Sequence, residues 1–333
     1  MQPIKTIRLG LAAVSIAIPF MTLGIERAAA EELLKARLAQ NLSPISGLTI
    51  IAQARGIFAK HGLDIAVSNF TTGKQCLDTV LGGGADIATT AESPVTAAAM
   101  AHQPIAFVAG MEYSDLKTMT AARAGIKSAA DLKGKRLAFT AGTGSEVYTS
   151  VLLKSAGLTI NDVTLVNLRP QEMLPAMSAG SIDAFNTWEP HIANAKKALG
   201  EAAAQLDTRG LYSETFNIVV TKSYLDANGV LVGKFLASII EAESWLKAHP
   251  DKAIDTVASA VGMKTDELAP IWSDYVFHVR IDDKLLSILK THAAWRLETG
   301  NHPPGAEMPD FGTVLAVEPL KALDASRVTV TLH

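Results

Sequence analysis

The sequence writes one α/β phrase twice. The first copy runs from Lys60-His61-Gly62-Leu63 through an apolar strand and a short helix to Gly84-Ala85-Asp86, then Glu92-Ser93-Pro94. The second runs from Ala156-Gly157-Leu158 through another strand and helix to Gly180-Ser181-Ile182-Asp183, then Glu189-Pro190. In both, a Gly-Leu pair closes a helix, an aspartate opens a short strand, and a glutamate follows that aspartate six residues later. Two copies of one unit predict two matching lobes and a cleft between them. Open α/β sheets bind ligands beyond the carboxyl ends of their strands, and both copies place polar residues there.

The pattern around the copies extends this reading. Strands are expected at 36–42, 64–70, 86–90, 105–110 and 116–122, with helices over 48–60, 74–81 and 94–101 between them. Short strands alternating with helices of this length indicate βαβ units and a largely parallel sheet. After a polar crossing at Arg123–Leu132 the pattern restarts, with strands at 136–140, 163–168 and 183–187 and helices over 145–155, 170–179 and 189–199. A strand at 215–221 returns the chain to the first lobe. Beyond Ser223 the sequence reads as helices, with 328–332 as a candidate edge strand. The expected fold class is therefore α/β, with a first lobe of 31–122 plus 215–333 and a second of 123–214.

Composition limits the function. With 333 residues, 48% of them apolar and 19% charged, the chain has enough to bury in two cores. A formal charge of −3 and the lack of any basic run give no sign of a nucleic-acid partner. Lys5 and Arg8 precede an apolar stretch from Leu9 to Ile25, and Ala28-Ala29-Ala30 offers a cleavage site. That is the layout of a secretory signal peptide over 1–30; the competing reading is an uncleaved membrane anchor. Removing it takes away Lys5, Arg8, Arg27 and Glu26, which moves the formal charge from −3 to −5. Cys76 is the only cysteine, so no internal disulfide forms, and the residue reads as a small buried hydrophobe.

The richest local candidate is Arg136–Ser145, a strand, a Gly-rich turn and a helix start containing Thr143, Gly144 and Ser145. Glycines admit close approach of a ligand, and a helix N-terminus offers unpaired N–H groups to an anion. No Lys-Ser/Thr follows the glycines, and Val147 stands where a dinucleotide fingerprint needs its third glycine. A plain turn capped by Ser145 is the alternative. The facing lobe should present Ser46, Gly73, Glu92 and Ser93 at its own strand ends. For the serines helix capping is the commoner role, and for Glu92 and Glu189 an acid in a first helical turn already complements the dipole. Trp188, beside Asn186 at a strand end, is placed either to meet a ligand or to pack in a core. Catalytic groups are sparse: no histidines pair at i and i+4, no cysteine cluster exists, and the Gly-x-Ser-x-Gly elbow is absent. No metal, cofactor or catalytic residue is expected.

Gly56-Ile57-Phe58-Ala59-Lys60-His61-Gly62-Leu63, Asp86-Ile87-Ala88, Asp131-Leu132-Lys133-Gly134-Lys135-Arg136, the Gly-Thr-Gly-Ser turn and Trp188-Glu189-Pro190 together resemble the periplasmic substrate-binding proteins of nitrate/sulfonate/taurine ABC transporters. The likeness spans roughly residues 36–225. It implies a two-lobed type II binding-protein fold that closes around a small ligand, most naturally a sulfonate. It also implies delivery to a membrane permease with its ATPase, by a monomeric, non-enzymatic protein. It implies that Ser46, Glu92, Ser93, Thr143, Gly144, Ser145, Asn186 and Trp188 line the cleft, and with Gly73 and Glu189, read from the strand ends, these make the ten expected ligand-binding residues. Glu92 departs from what a purely anionic ligand favours, which leaves an aminosulfonate zwitterion or a neutral heterocycle on Trp188 open, beside nitrate, bicarbonate or a thiamine-precursor pyrimidine. The fold also resembles that of fungal pyrimidine-precursor synthases, but those carry a cysteine-rich iron site and Cys76 stands alone. A ligand-sensing module is the third reading.

Overall fold

The computed structural model describes Met1, Pro3 and residues 32–332. The export segment expected over 1–30 otherwise lies outside the described residues. The chain runs β1 (Leu34–Asn41), a 3₁₀ turn (Pro44–Ser46), α1 (Gly47–Ala54), α2 (Ile57–Lys60), β2 (Leu63–Phe70), α3 (Gly73–Leu81), β3 (Ile87–Ala91), α4 (Glu92–Met100), β4 (Ile105–Asp115) and β5 (Lys117–Ala121). There follow β6 (Arg136–Phe139), α5 (Gly144–Ser155), β7 (Thr164–Asn167), α6 (Pro170–Ser178), β8 (Ala184–Thr187), α7 (His191–Leu199), β9 (Ala203–Gln205) and β10 (Ser213–Thr221). The remainder comprises α8 (Lys222–Ala248), α9 (Pro250–Val261), α10 (Thr265–Leu268), β11 (Val276–Arg280), α11 (Asp283–Thr299) and α12 (Glu318–Leu323). Among the described residues no helix is long and apolar enough to cross a membrane.

Two sheets result, one ordered β11-β4-β10-β3-β1-β2 and the other β7-β6-β8-β5-β9. Their shared plan is visible strand by strand. β1 pairs in parallel with β2 and β3, as β6 does with β7 and β8. Each sheet then adds one antiparallel strand, β10 beside β3 and β5 beside β8. The first sheet takes that strand from the chain returning after the second sheet, and the second takes it from the chain arriving. The crossings between sheets are therefore Leu116 and the segment 206–212. This differs from the crossing expected at 123–132. All of Lys117–Ala121 is buried, and its backbone pairs with Ala184–Thr187 in the second sheet. The polar stretch beyond is two 3₁₀ turns on the same side.

Burial follows the two-residue period of the strands. In β6 and β8, Leu137 and Ala184 face a core with Tyr148 and Leu152, whereas Ala138 and Phe185 face one with Met119, Met173 and Ile192. The second sheet is thus covered by helices on both faces. The larger first core gathers Leu38, Phe107, Val219, Phe235 and Leu289. The helix expected over 48–60 breaks at Gly56, whose φ of +66° belongs to the left-handed region that favours glycine. Beyond Ser223 one strand interrupts the helices: β11 alternates exposed Val276 with buried Phe277 and Val279 at the sheet edge. The tail contributes a single bridge from Val328 to Ile281 rather than a strand.

The doubled aspartates are structural and make the same clamp. Asp86 accepts from the Arg37 backbone N–H at 2.7 Å, from Nε at 3.0 Å and from Nη2 at 2.6 Å. Asp183 accepts from Arg136 at the same three atoms, at 3.0, 2.9 and 2.6 Å. In each sheet this bidentate pair ties the start of one parallel strand to its neighbour, at the end away from the cleft. The guanidinium holds the carboxyl below its ordinary range, to about 2 at Asp183.

Candidate functional site

The carboxyl ends of β1 and β3 meet those of β6 and β8 across a narrow crevice closed down to about 10 Å3, well below the ~300–1,000 Å3 typical of ligand pockets. Asn41, Gly73, Lys74, Ala91, Glu214 and Phe216 line it from the first sheet's side, Thr143 and Trp188 from the second's. Larger, more open cavities lie behind the Leu116 crossing and between α5 and α11. The first is lined by the end of β4 and the starts of β5 and β10, the second mainly by α5 and α11; neither reaches the carboxyl ends of the parallel strands β1, β3, β6 and β8, where a doubly built α/β fold places its ligand.

Local chemistry explains the close approach. Gly73 opens α3, capped by the Thr72 side chain. A Cβ there would stand 2.9 Å from the Thr90 Cα and 3.0 Å from the Ala91 nitrogen, so only glycine lets the helix start against the end of β3. Gly144 opens α5, capped by Thr143. A Cβ at Gly144 would meet Glu214 Oε1 at 2.6 Å and the Tyr212 hydroxyl at 3.2 Å. The Lys74 stem reaches across to the turn at Gly142, while its ammonium donates to Asp78 at 2.5 Å.

Of the ten residues expected to bind ligand, Gly73, Thr143 and Trp188 line the crevice and Gly144 adjoins it. The other six are buried with their polar atoms held largely by protein. Ser46 Oγ lies 3.4 Å from Thr89 Oγ1. Ser93 accepts from Arg296 Nη2 at 3.1 Å, and Ser145 Oγ donates to the Asn186 carbonyl at 2.8 Å. Asn186 accepts from Thr118 and donates to Thr149, both at 2.7 Å. Glu189 accepts from Lys117 at 3.2 Å and from the Ala193 N–H at 2.8 Å. Glu92, wholly buried, accepts from the Tyr212 hydroxyl and from Thr215 N–H at 2.7 Å.

These contacts form two networks that grip the same crossing segment. On the second sheet's side, Tyr148 joins Thr118 and Thr208, each at 2.8 Å, with Asn186 behind. On the first, Glu92 holds Tyr212, and His292 Nε2 stands 3.1 Å from the same hydroxyl. Desolvation, with Arg296 nearby, pushes the His292 imidazole down to about 3. It is therefore neutral at pH 7. Desolvation raises Glu92, and the hydrogen bonds from Tyr212 and Thr215 offset part of that rise.

Glu112 and Glu214 were not legible as site residues. Both are raised well above the carboxylate range, Glu112 by desolvation and then by Glu214, and Glu214 by desolvation and then by Glu92. Neither Glu112 oxygen has a hydrogen-bond partner; Ser114 is close enough to pull the carboxyl down slightly but not in bonding geometry. The Oγ1 atoms of Thr90 and Thr187, the fourth residue after the aspartate in each copy, are also buried without partners. Among the described residues no group of three or more His, Cys, Asp or Glu is placed to hold a metal.

Two α/β sheets of the same plan, facing one crevice at their strand ends, define a two-lobed binding-protein fold. The chain belongs to the NMT1/THI5-like family, whose model matches residues 44–253. It is similar to the taurine-binding periplasmic protein of Escherichia coli (strain K12), with 27% identity over 205 residues, 60% of this chain and 63% of that one. Among solved structures it resembles the alkanesulfonate-binding protein SsuA from Xanthomonas axonopodis pv. citri bound to MOPS, with a TM-score of 0.74, 21% identity and coverage of 91% and 100%. It also resembles the periplasmic aliphatic sulphonate binding protein SsuA from Escherichia coli, with a TM-score of 0.72, 22% identity and coverage of 84% and 91%.

Proposed function

We propose that the protein is the exported solute-binding component of an ABC importer. It captures a small organic ligand bearing a sulfonate and delivers it to a permease and ATPase in the membrane. In this reading 1–30 is cleaved after Ala30 and the mature monomer works in the periplasm without catalysing a reaction. The lobes correspond to the two sheets, with boundaries at Leu116 and in 206–212.

The observation that carries this reading is the crevice itself. Two helices start at its edge, α3 at Gly73 and α5 at Gly144, and Lys74 stands beside them. The helix N-termini supply N–H donors and partial positive charge for a sulfonate oxygen, and Lys74 would turn from Asp78 to add a full charge. Trp188 closes one wall, half-buried, with its indole edge against the His191 ring at 6.3 Å. The names of the similar proteins point to the same ligand class. A flat heterocycle such as a thiamine-precursor pyrimidine is the second reading, favoured by the Trp188 ring at the crevice.

A thermal-shift panel of sulfonates, nitrate, bicarbonate and pyrimidines tests the proposal. A ligand at a hundredfold excess over its Kd should stabilise the protein by about 2.7 kcal/mol. A panel in which nothing shifts the transition contradicts it. N-terminal sequencing of the exported protein should begin at Glu31; a membrane-bound form retaining Met1 contradicts cleavage.

A further inference from the structure

We propose that Glu112 and Glu214 form a cation-recognising end of the crevice, so that the ligand carries a protonated amine or a similar N–H-rich cationic group. This rests on the solute-binding reading above and narrows it. The antiparallel register puts Ser114 opposite Glu214 and Glu112 opposite Phe216, so all four side chains share one face of the first sheet. Glu214 and Phe216 of that set line the crevice. Glu112 lies diagonally across from Glu214 on the same face, 1% exposed, with both oxygens unpartnered.

The protein does not supply the missing donors. The neighbouring cations are committed elsewhere: Lys117 to Glu189 and Asp274, Arg280 to Asp282, and Arg296 to Ser93. A buried carboxylate without a partner is strongly disfavoured, and a positively charged donor at the site removes that penalty. The crevice also carries the start of α3 and Lys74, whose ammonium is paired with Asp78, while the start of α5 at Gly144 lies against Glu214 itself. A crevice that combines helix N-termini with unpaired buried carboxyls suits a ligand carrying both an anionic and a cationic group. A plain alkanesulfonate would leave the acidic floor unpaired.

Isothermal titration of the mature protein with two matched pairs tests this: 2-aminoethanesulfonate against ethanesulfonate, and 3-aminopropionate against propionate. The aminated member of at least one pair should bind at least about tenfold tighter than its partner. Glu112→Gln and Glu214→Gln should each erase most of that difference. Equal or tighter binding of the unaminated members overturns the inference, as does failure of both aminated probes to bind or a preference that survives both substitutions. The two proposals fail separately. Tight ethanesulfonate binding leaves the sulfonate reading standing and removes the acidic subsite, whereas a preference confined to the carboxylate pair does the opposite.

Discussion

The two copies of the α/β phrase agree at their far ends and diverge at the cleft. Asp86 with Arg37 and Asp183 with Arg136 repeat one clamp atom for atom. Six residues on, Glu92 and Glu189 occupy matching positions with different partners. Glu92 grips Tyr212 and Thr215, on the crossing and on β10, so the first copy fastens the returning chain. Glu189 grips Lys117 on β5 and the Ala193 N–H within α7, so the second fastens the arriving chain. One residue earlier, Ala91 in the first copy corresponds to Trp188 in the second, and both line the crevice. A repeated fold thus carries unrepeated contacts: the clamps match, and the residues at the strand ends differ.

Replacing the two glutamates should show the largest difference. Glu92→Ala leaves the Thr215 N–H buried without an acceptor and the Tyr212 hydroxyl with only His292 Nε2 at 3.1 Å, a loss of about 2–3 kcal/mol at ~1–3 kcal/mol per unsatisfied group. Glu189→Ala should cost about 1 kcal/mol, because Lys117 keeps Asp274 at 2.9 Å. Urea unfolding of both ligand-free variants checks this, and equal losses would break the asymmetry.

Much of this was legible in the sequence, and the failures have physical causes. Phrase spacing places the parallel strands and their helices, and Thr143 of the glycine turn lines the crevice. Glu214 and Phe216 escape because β10 is antiparallel, so its amino end points to the cleft while the carboxyl-end rule looks to the other. Glu112 escapes because β4 continues past Gly110, through register shifts, to Asp115. Nothing in local pattern reveals that Asn186 or Ser145 spends its hydrogen bonds on the protein: Ser145 donates to the Asn186 carbonyl, 41 residues away, and Asn186 bonds Thr118 and Thr149, 68 and 37 residues away.

The next effect is on pH dependence, which should differ between the acidic floor and the clamps. Glu92, Glu112 and Glu214 titrate higher in the folded chain than the 4.5 of a free glutamate. Their contribution to stability is complete below that value and is lost as pH rises through the folded values. Asp183, at about 2 against an ordinary 3.8, has the opposite sign: its contribution is present above 3.8 and lost as pH falls through 2. These carboxyls should therefore lower the melting temperature of the ligand-free protein as pH rises above 4.5, against the opposite pull of His191 and His292, held down to about 4 and about 3, and the Glu112→Gln, Glu214→Gln double variant should remove their share of that slope. An unchanged slope would remove the buried carboxyls from the account. Smallest of all, Asp86→Asn and Asp183→Asn should each lower the melting temperature by a few degrees at most, and equally, since both pairs are partly screened by solvent. Unequal losses would show that the clamps are less alike than their geometry.

The central claim is that one small solute binds between the two sheets against Trp188. Titration calorimetry of the mature protein and its Trp188→Ala variant, with the strongest ligand of the thermal-shift panel, tests it most directly. The account predicts one site per chain in the parent. In the variant, affinity should be lower by about tenfold or more, consistent with losing ~1.5–3 kcal/mol of buried apolar contact, with unfolding unchanged. Undiminished affinity in the folded variant would place the ligand elsewhere and contradict the account.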